Sequence, residues 1–162
     1  MPKLANCLWF DRQAEEAARF YVSVFPNSRL GDIARYPDGF PGDCAGEVMT
    51  VEWEVEGVRF VGLNGGEHFK PNEAYSVQID VGDQAELDRY WNALLEGGGQ
   101  EGPCGWLKDR FGVSWQVVPR RLPELFKQGG AAADRVAQAM MQMRKLDIAR
   151  LEAVARGEAV AA

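Results

Sequence analysis

Ala74 to Leu95 reads AYSVQIDVGDQAELDRYWNALL, and the fold turns on this stretch. Apolar and polar residues alternate from Ala74 to Val81, the period of a half-buried strand. Gly82-Asp83 then caps a helical run, Gln84 to Leu95, that Gly97-Gly98-Gly99 closes. The same order stands earlier in the chain. Leu4 to Phe10 (LANCLWF) is a short apolar run ended by Asp11, and Gln13 to Phe25 (QAEEAARFYVSVF) sets Ala14, Ala17, Ala18, Tyr21 and Val24 at helical spacing before Pro26-Asn27 stops it. Arg19-Phe20-Tyr21 superposes on Arg89-Tyr90-Trp91 at an offset of 70, and Gln13-Ala14-Glu15 on Gln84-Ala85-Glu86 at an offset of 71. Such triplets also arise by chance in helices rich in Ala, Glu and Arg, so the weight rests on the order of elements.

Outward from the first helix, Ser28 to Tyr36 is a weaker extended stretch, and Pro37 to Gly46 is a turn-rich loop. Val48 to Val55 (VMTVEWEV) alternates strictly, with Met49, Val51, Trp53 and Val55 on one face and Thr50, Glu52 and Glu54 on the other; Glu56-Gly57 turns it into a second strand, Val58 to Leu63. Outward from the second helix come Gly105 to Lys108 (GWLK), a turn at Asp109-Arg110-Phe111-Gly112, and Val113 to Val118 (VSWQVV), ended by Pro119. One such module leaves a hydrophobic sheet face bare, so two are expected side by side, their sheets curving about a shared cleft. The expected fold class is α+β, with two βαβββ modules forming curved mixed sheets around a cleft. The domain these modules build is placed at 1–121 (module one 1–64, linker 65–73, module two 74–121), and a helical C-terminal extension at 122–162. In that tail Val136, Met140 and Met143 form one stripe, read as core or dimer contact, and Asp147 caps a last helix, Ile148 to Arg156, that Gly157 ends.

The chain has 162 residues, with 18 Lys and Arg against 24 Asp and Glu for a net charge of −6, and 46% hydrophobic residues: a core-rich, globular composition. The acidic balance argues against nucleic acid, whose phosphates call for clustered Lys and Arg. No window reaches the roughly 18 apolar residues of a membrane span. Cys7, Cys44 and Cys104 lack the C-x-x-C spacing of a zinc or redox site. The N-terminus meets Asp11-Arg12 before a signal-peptide core could form, so a cytoplasmic location with reduced thiols is expected.

Three stretches carry a family resemblance. Cys7-Leu8-Trp9-Phe10-Asp11 with Ala14-Glu15-Glu16-Ala17 and Phe20-Tyr21, then Leu63-Asn64-Gly65-Gly66, then Cys104 to Gln116 (CGWLKDRFGVSWQ), resemble the PhnB-like group of the vicinal-oxygen-chelate (glyoxalase/bleomycin-resistance) superfamily; the tail Met143 to Ile148 is similar too. Members of this group have often carried the label 3-demethylubiquinone-9 3-methyltransferase. Here no Gly-rich strand-to-helix turn, followed by an acidic residue about 20 residues on, offers a place for an adenosyl cofactor. The resemblance implies four inward positions that usually bind a divalent metal, falling at Asn6, Ser76, Gln116 and near Leu63 or Asn64. None carries His or a carboxylate, so no metal or other cofactor is expected.

The polar set Asn6, Asn64, Ser76, Gln78 and Gln116 reads either as hydrogen-bonding groups in a cleft walled by Leu8, Phe10 and Trp106, or as strand side chains satisfying one another. Glu52 and Glu54 share a strand face, as an acid/base pair or as a solvated surface. Cys7 and Cys104 read as buried, inert thiols, and His68 as a structural or exposed linker residue. Lys108 and Arg110 read as surface charges or as a gate toward an anionic ligand. The expected partner is a small organic molecule bound by a homodimer, with no catalytic residue assigned. The alternatives are a metal-dependent lyase, isomerase or dioxygenase, and an antibiotic-sequestering resistance protein.

Overall fold

Leu8 and Phe10 are buried while Cys7 before them is exposed and Trp9 between them is only half-buried, so the first apolar run forms a strand, β1 (Asn6–Phe10), covered fully on one face only. In the computed structural model, which describes residues 3–158, β1 leads into helix α1 (Ala14–Val24), then β2 (Ser28–Arg35), β3 (Val48–Val55) and β4 (Val58–Asn64). These four strands form one mixed sheet in the order β1-β4-β3-β2, with β1 parallel to β4 and the other neighbours antiparallel. The buried face of α1, Ala14, Ala17, Ala18, Phe20 and Tyr21, covers Phe10, Val51, Trp53 and Phe60. Trp53 stacks on Phe60 at 5.4 Å. Gly62 lets the helix approach, because a Cβ there would lie 3.0 Å from both the Ala14 Cβ and the Trp53 ring. The turn between β3 and β4 runs through Glu56 and Gly57, both at positive φ, as a two-residue hairpin requires.

The second module repeats the pattern: β5 (Val77–Val81), α2 (Gln84–Leu95), β6 (Gln100–Glu101), β7 (Trp106–Lys108) and β8 (Ser114–Pro119), in the sheet order β5-β8-β7-β6. Again the first and last strands are parallel and the others antiparallel. Leu87, Tyr90, Trp91 and Leu94 of α2 pack on Val81, Leu107, Trp115 and Val117. Asp83 accepts from the Glu86 amide while the Glu86 carboxylate accepts from the Gly82 amide, a reciprocal cap. The chain divides into two compact units between Pro71 and Asn72. Past β8 come α3 (Leu122–Lys127), α4 (Gly130–Met141) and α5 (Ile148–Ala155), and no helix of the described residues is long and apolar enough to cross a membrane.

Several details differ from the sequence reading. The strand expected from Ala74 starts only at Val77, because the Asn72 side chain accepts from the Ala74 amide and holds residues 73–75 in a turn. The two-residue β6 escaped prediction, being too short to show alternation. Helix α4 ends at Met141, so Val136 and Ala139 make its buried stripe, Met143 enters the core from the following turn and Met141 is 70% exposed. The tail docks within the second unit: the Cys104 and Gly105 amides donate to the Met143 and Arg144 carbonyls, and the Gln84 side chain holds the Leu146 carbonyl and Ile148 amide. Asp147 caps α5 by accepting from the Arg150 amide.

Candidate functional site

The two modules align with a one-residue slip. Helix α2 starts 70 residues after α1, but β5 starts 71 residues after β1. The link from β1 to α1 spans residues 11–13 whereas that from β5 to α2 is only Gly82-Asp83. Strand pairing therefore makes Val77, not Ser76, the counterpart of Asn6, and the candidate residues fall into two groups.

In the first module Asn6, Leu8 and Asn64 alternate with Phe10 and Gly62 on the α1 side of the sheet. Leu8 is buried there, and Asn6 makes a long hydrogen bond to the Arg59 carbonyl. Asn64 is buried with both ends of its amide engaged: Oδ1 accepts from the Ala14 amide at 2.9 Å and Nδ2 donates to the Val48 carbonyl at 3.0 Å. It thus ties the start of α1 to the sheet. The glycines that follow serve the same corner, since a Cβ on Gly65 would run into the Trp9 ring, whose Nε1 donates to the Gly66 carbonyl. A cavity of about 500 Å³ lies beside it, lined by Asp11, Arg12, Tyr36, Phe40, Glu47 and Asn64. Tyr36 closes one wall by donating to the Asn64 carbonyl at 2.6 Å.

In the second module Ser76, Gln78, Trp106 and Gln116 do come together, on the face turned away from α2. Gln78, Gln116 and Trp106 are register partners across β5, β8 and β7, and Gln116 Nε2 donates to Ser76 Oγ at 2.9 Å. The next row on this face holds Ser114 of β8, Lys108 of β7 and Gln100 of β6, again direct partners. Lys108 is paired at 2.5 Å with Glu73 of the preceding turn, and the Lys108 hydrogen bond holds the Glu73 carboxyl below its usual value. A cavity of about 380 Å³ opens here, lined among others by Glu73, Gln100, Trp106, Leu107, Lys108 and Ser114. The role of Ser114 follows from alternation, two residues before Gln116; that of Glu73 carries no sequence signal, because it arrives through a turn.

The remaining candidates are engaged elsewhere or exposed. Glu52 pairs with Arg59 and Glu54 with Arg29, each at 2.8 Å. Cys7 is exposed and Cys104 half-buried, correcting the expectation of buried thiols: Cys7 falls on the uncovered phase of β1, and Cys104 sits at φ 58° in the turn before β7. His68 is exposed in the linker. Arg110 lies over the Phe111 ring at 4.9 Å. Asp109 is a structural carboxylate: Oδ1 accepts from the Phe111 and Val113 amides and Oδ2 from Trp115 Nε1, which locks the last hairpin.

A divalent ion does not fit the four positions that the superfamily pattern selects. Two sit on the α1 side, Asn64 is consumed by backbone, and Ser76 and Gln116 bond to each other. Among the described residues no group of three or more His, Cys, Asp or Glu is placed to hold a metal.

A family model described as 3-demethylubiquinone-9 3-methyltransferase matches residues 2–118. The chain belongs to this family. No curated protein matches it. Among solved structures, a PhnB protein from Bacillus cereus bearing the same family description is 28% identical over 73% of this chain and 99% of its own, with a TM-score of 0.63. A protein from Pseudomonas aeruginosa, 23% identical over 74% and 98% of the two chains, shares the fold at a TM-score of 0.61. So does the fosfomycin resistance protein FosX of Listeria monocytogenes, solved with Mn(II) and sulfate, at 11% identity, 79% and 98% coverage and a TM-score of 0.52. The family thus stands within the vicinal-oxygen-chelate superfamily, and this member is PhnB-like with a glyoxalase-type pair of βαβββ modules.

Proposed function

We propose that this protein binds a small organic molecule against the open face of its second module, without the divalent ion customary in its superfamily. The observation that carries this reading is the row Gln78–Gln116–Trp106: two amides and an indole, uncharged, side by side on three strands beside a cavity of about 380 Å³. Ligand sites combine apolar walls with a few placed polar groups, and this volume sits at the small end of their range of about 300–1,000 Å³. Of this row Trp106 lines the cavity as its apolar wall, and Ser76, Gln78 and Gln116 supply polar groups on the same sheet face beside it. Neutral amides and a hydroxyl orient a ligand by hydrogen bonding, whereas Lewis-acid chemistry calls for imidazole or carboxylate around an ion. The homodimer and the cytoplasmic location expected from the sequence belong to the same proposal, and light scattering in solution tests the former.

The test is thermal denaturation of the untagged protein against a small-molecule library, with nickel, zinc, manganese and S-adenosylmethionine in separate wells. A ligand that binds only the folded state raises Tm. An organic compound is expected to raise it in the native protein and to lose that effect in Gln116→Leu. A stabilisation by one of the metals, or an organic ligand indifferent to Gln116→Leu, contradicts the reading.

A further inference from the structure

We infer that the open face of the second module recognises the carboxylate of a flat organic acid, and that Glu73 occupies the place of that carboxylate in the free protein. The inference rests on the proposed ligand site and names its ligand's chemistry. Three strands each supply one residue to a line across the sheet, Ser114 on β8, Lys108 on β7 and Gln100 on β6, and Ser76, just before β5, extends it beyond β8. Each can donate a hydrogen bond, and Lys108 adds a positive charge. Ser114, in the middle of the line, is 1% exposed, and its Oγ has no hydrogen-bond partner although it lines the cavity. Buried hydroxyls are ordinarily satisfied, so one left without a partner at a cavity calls for an acceptor that arrives with the ligand.

An acceptor of the right kind is already next to this line. Glu73 reaches Lys108 from the turn before β5, with its own side chain 64% exposed. So exposed an ion pair holds its partner weakly, and a carboxylate that also meets Ser114 and lays a ring on Trp106 replaces it while Glu73 returns to water. The other carboxylates nearby do not compete. Glu101 turns toward α2, where it accepts from Trp91 Nε1, and Asp80 accepts from Gln78 Nε2. The cavity has room for one or two fused rings.

The experiment is calorimetric titration of the full chain with 2-naphthoate and, in parallel, 2-naphthamide, which keeps the ring and removes the charge. The native protein is expected to bind the acid at least tenfold more tightly than the amide. Lys108→Met is expected to erase that preference, and Glu73→Gln to tighten binding of the acid severalfold while leaving the amide unchanged. Both substituted positions are partly exposed, and their folding is checked by circular dichroism. Equal affinity for acid and amide, no binding of either, or weaker binding of the acid by Glu73→Gln overturns the inference. In each of those cases the ligand-site reading survives if a neutral library compound still stabilises the protein through Gln116, and falls with it otherwise.

Discussion

Ser114 and Asp109 show opposite uses of a buried polar side chain within one hairpin. Asp109 has three donors converging on its carboxylate, and replacing it by Asn turns an amide N–H₂ toward either the Trp115 indole N–H or the backbone amides. Asp109→Asn is expected to cost roughly 1–3 kcal/mol, read by urea denaturation. Ser114 Oγ makes no hydrogen bond within the protein, so Ser114→Ala is expected to stabilise the ligand-free protein by about 1 kcal/mol while weakening carboxylate binding. A Ser114 with a purely structural role would show the reverse in the urea curve. Gly65 is constrained by space: Gly65→Ala drives a methyl group into the Trp9 ring and is expected to cost about 1–3 kcal/mol.

At the scale of elements, the contact between α2 and the segment leading into α5 carries the most specific predictions. Gln84 bridges the Leu146 carbonyl and the Ile148 amide, and Lys145 pairs with Asp88 at 2.9 Å. Gln84→Leu is expected to speed hydrogen exchange at Ile148 and through α5 while leaving the first module unchanged. The Asp88 carboxyl is held below its usual value, first by the hydrogen bond from Lys145 and next by that from Gln84. A depressed folded-state value means that its contribution is present above the unfolded carboxyl range and disappears as pH falls through the folded value. The difference in stability between the native protein and Asp88→Asn should therefore be measurable at pH 7, small because the pair is exposed, and absent near pH 2. Most of this level could be read in advance. The strict alternation of Val48 to Val55 and the 3.6-residue spacing in both helices placed those elements correctly. The start of β5 did not show, because the Asn72 turn overrides an alternating pattern that runs on through Ala74 and Tyr75.

For the molecule as a whole, the duplication was legible from element order, and the matching strand orders of the two sheets bear it out. Which candidate residues share a face was legible only by halves. Ser76, Gln78, Trp106 and Gln116 gather because alternation on β5, β7 and β8 puts them on one face. Asn6, Leu8 and Asn64 lie on the helix side of the first sheet, since the longer link between β1 and α1 shifts the strand register by one residue relative to the helices, and one residue reverses a strand's faces. A triplet match within helices carries no information about that shift. The second module has also diverged in size, its β6 and β7 being two and three residues against eight each for β2 and β3, and it is beside these trimmed strands that the cavity opens.

The most direct test of the carboxylate-binding site on the second module is an NMR titration of isotopically labelled protein with 2-naphthoate, following the backbone amides and the Trp106 indole. The shifts are expected to cluster at Ser76, Gln78, Trp106, Lys108, Ser114 and Gln116. Shifts confined to Tyr36, Phe40 and Asn64 in the first module, or a spectrum that does not move at all, would contradict it.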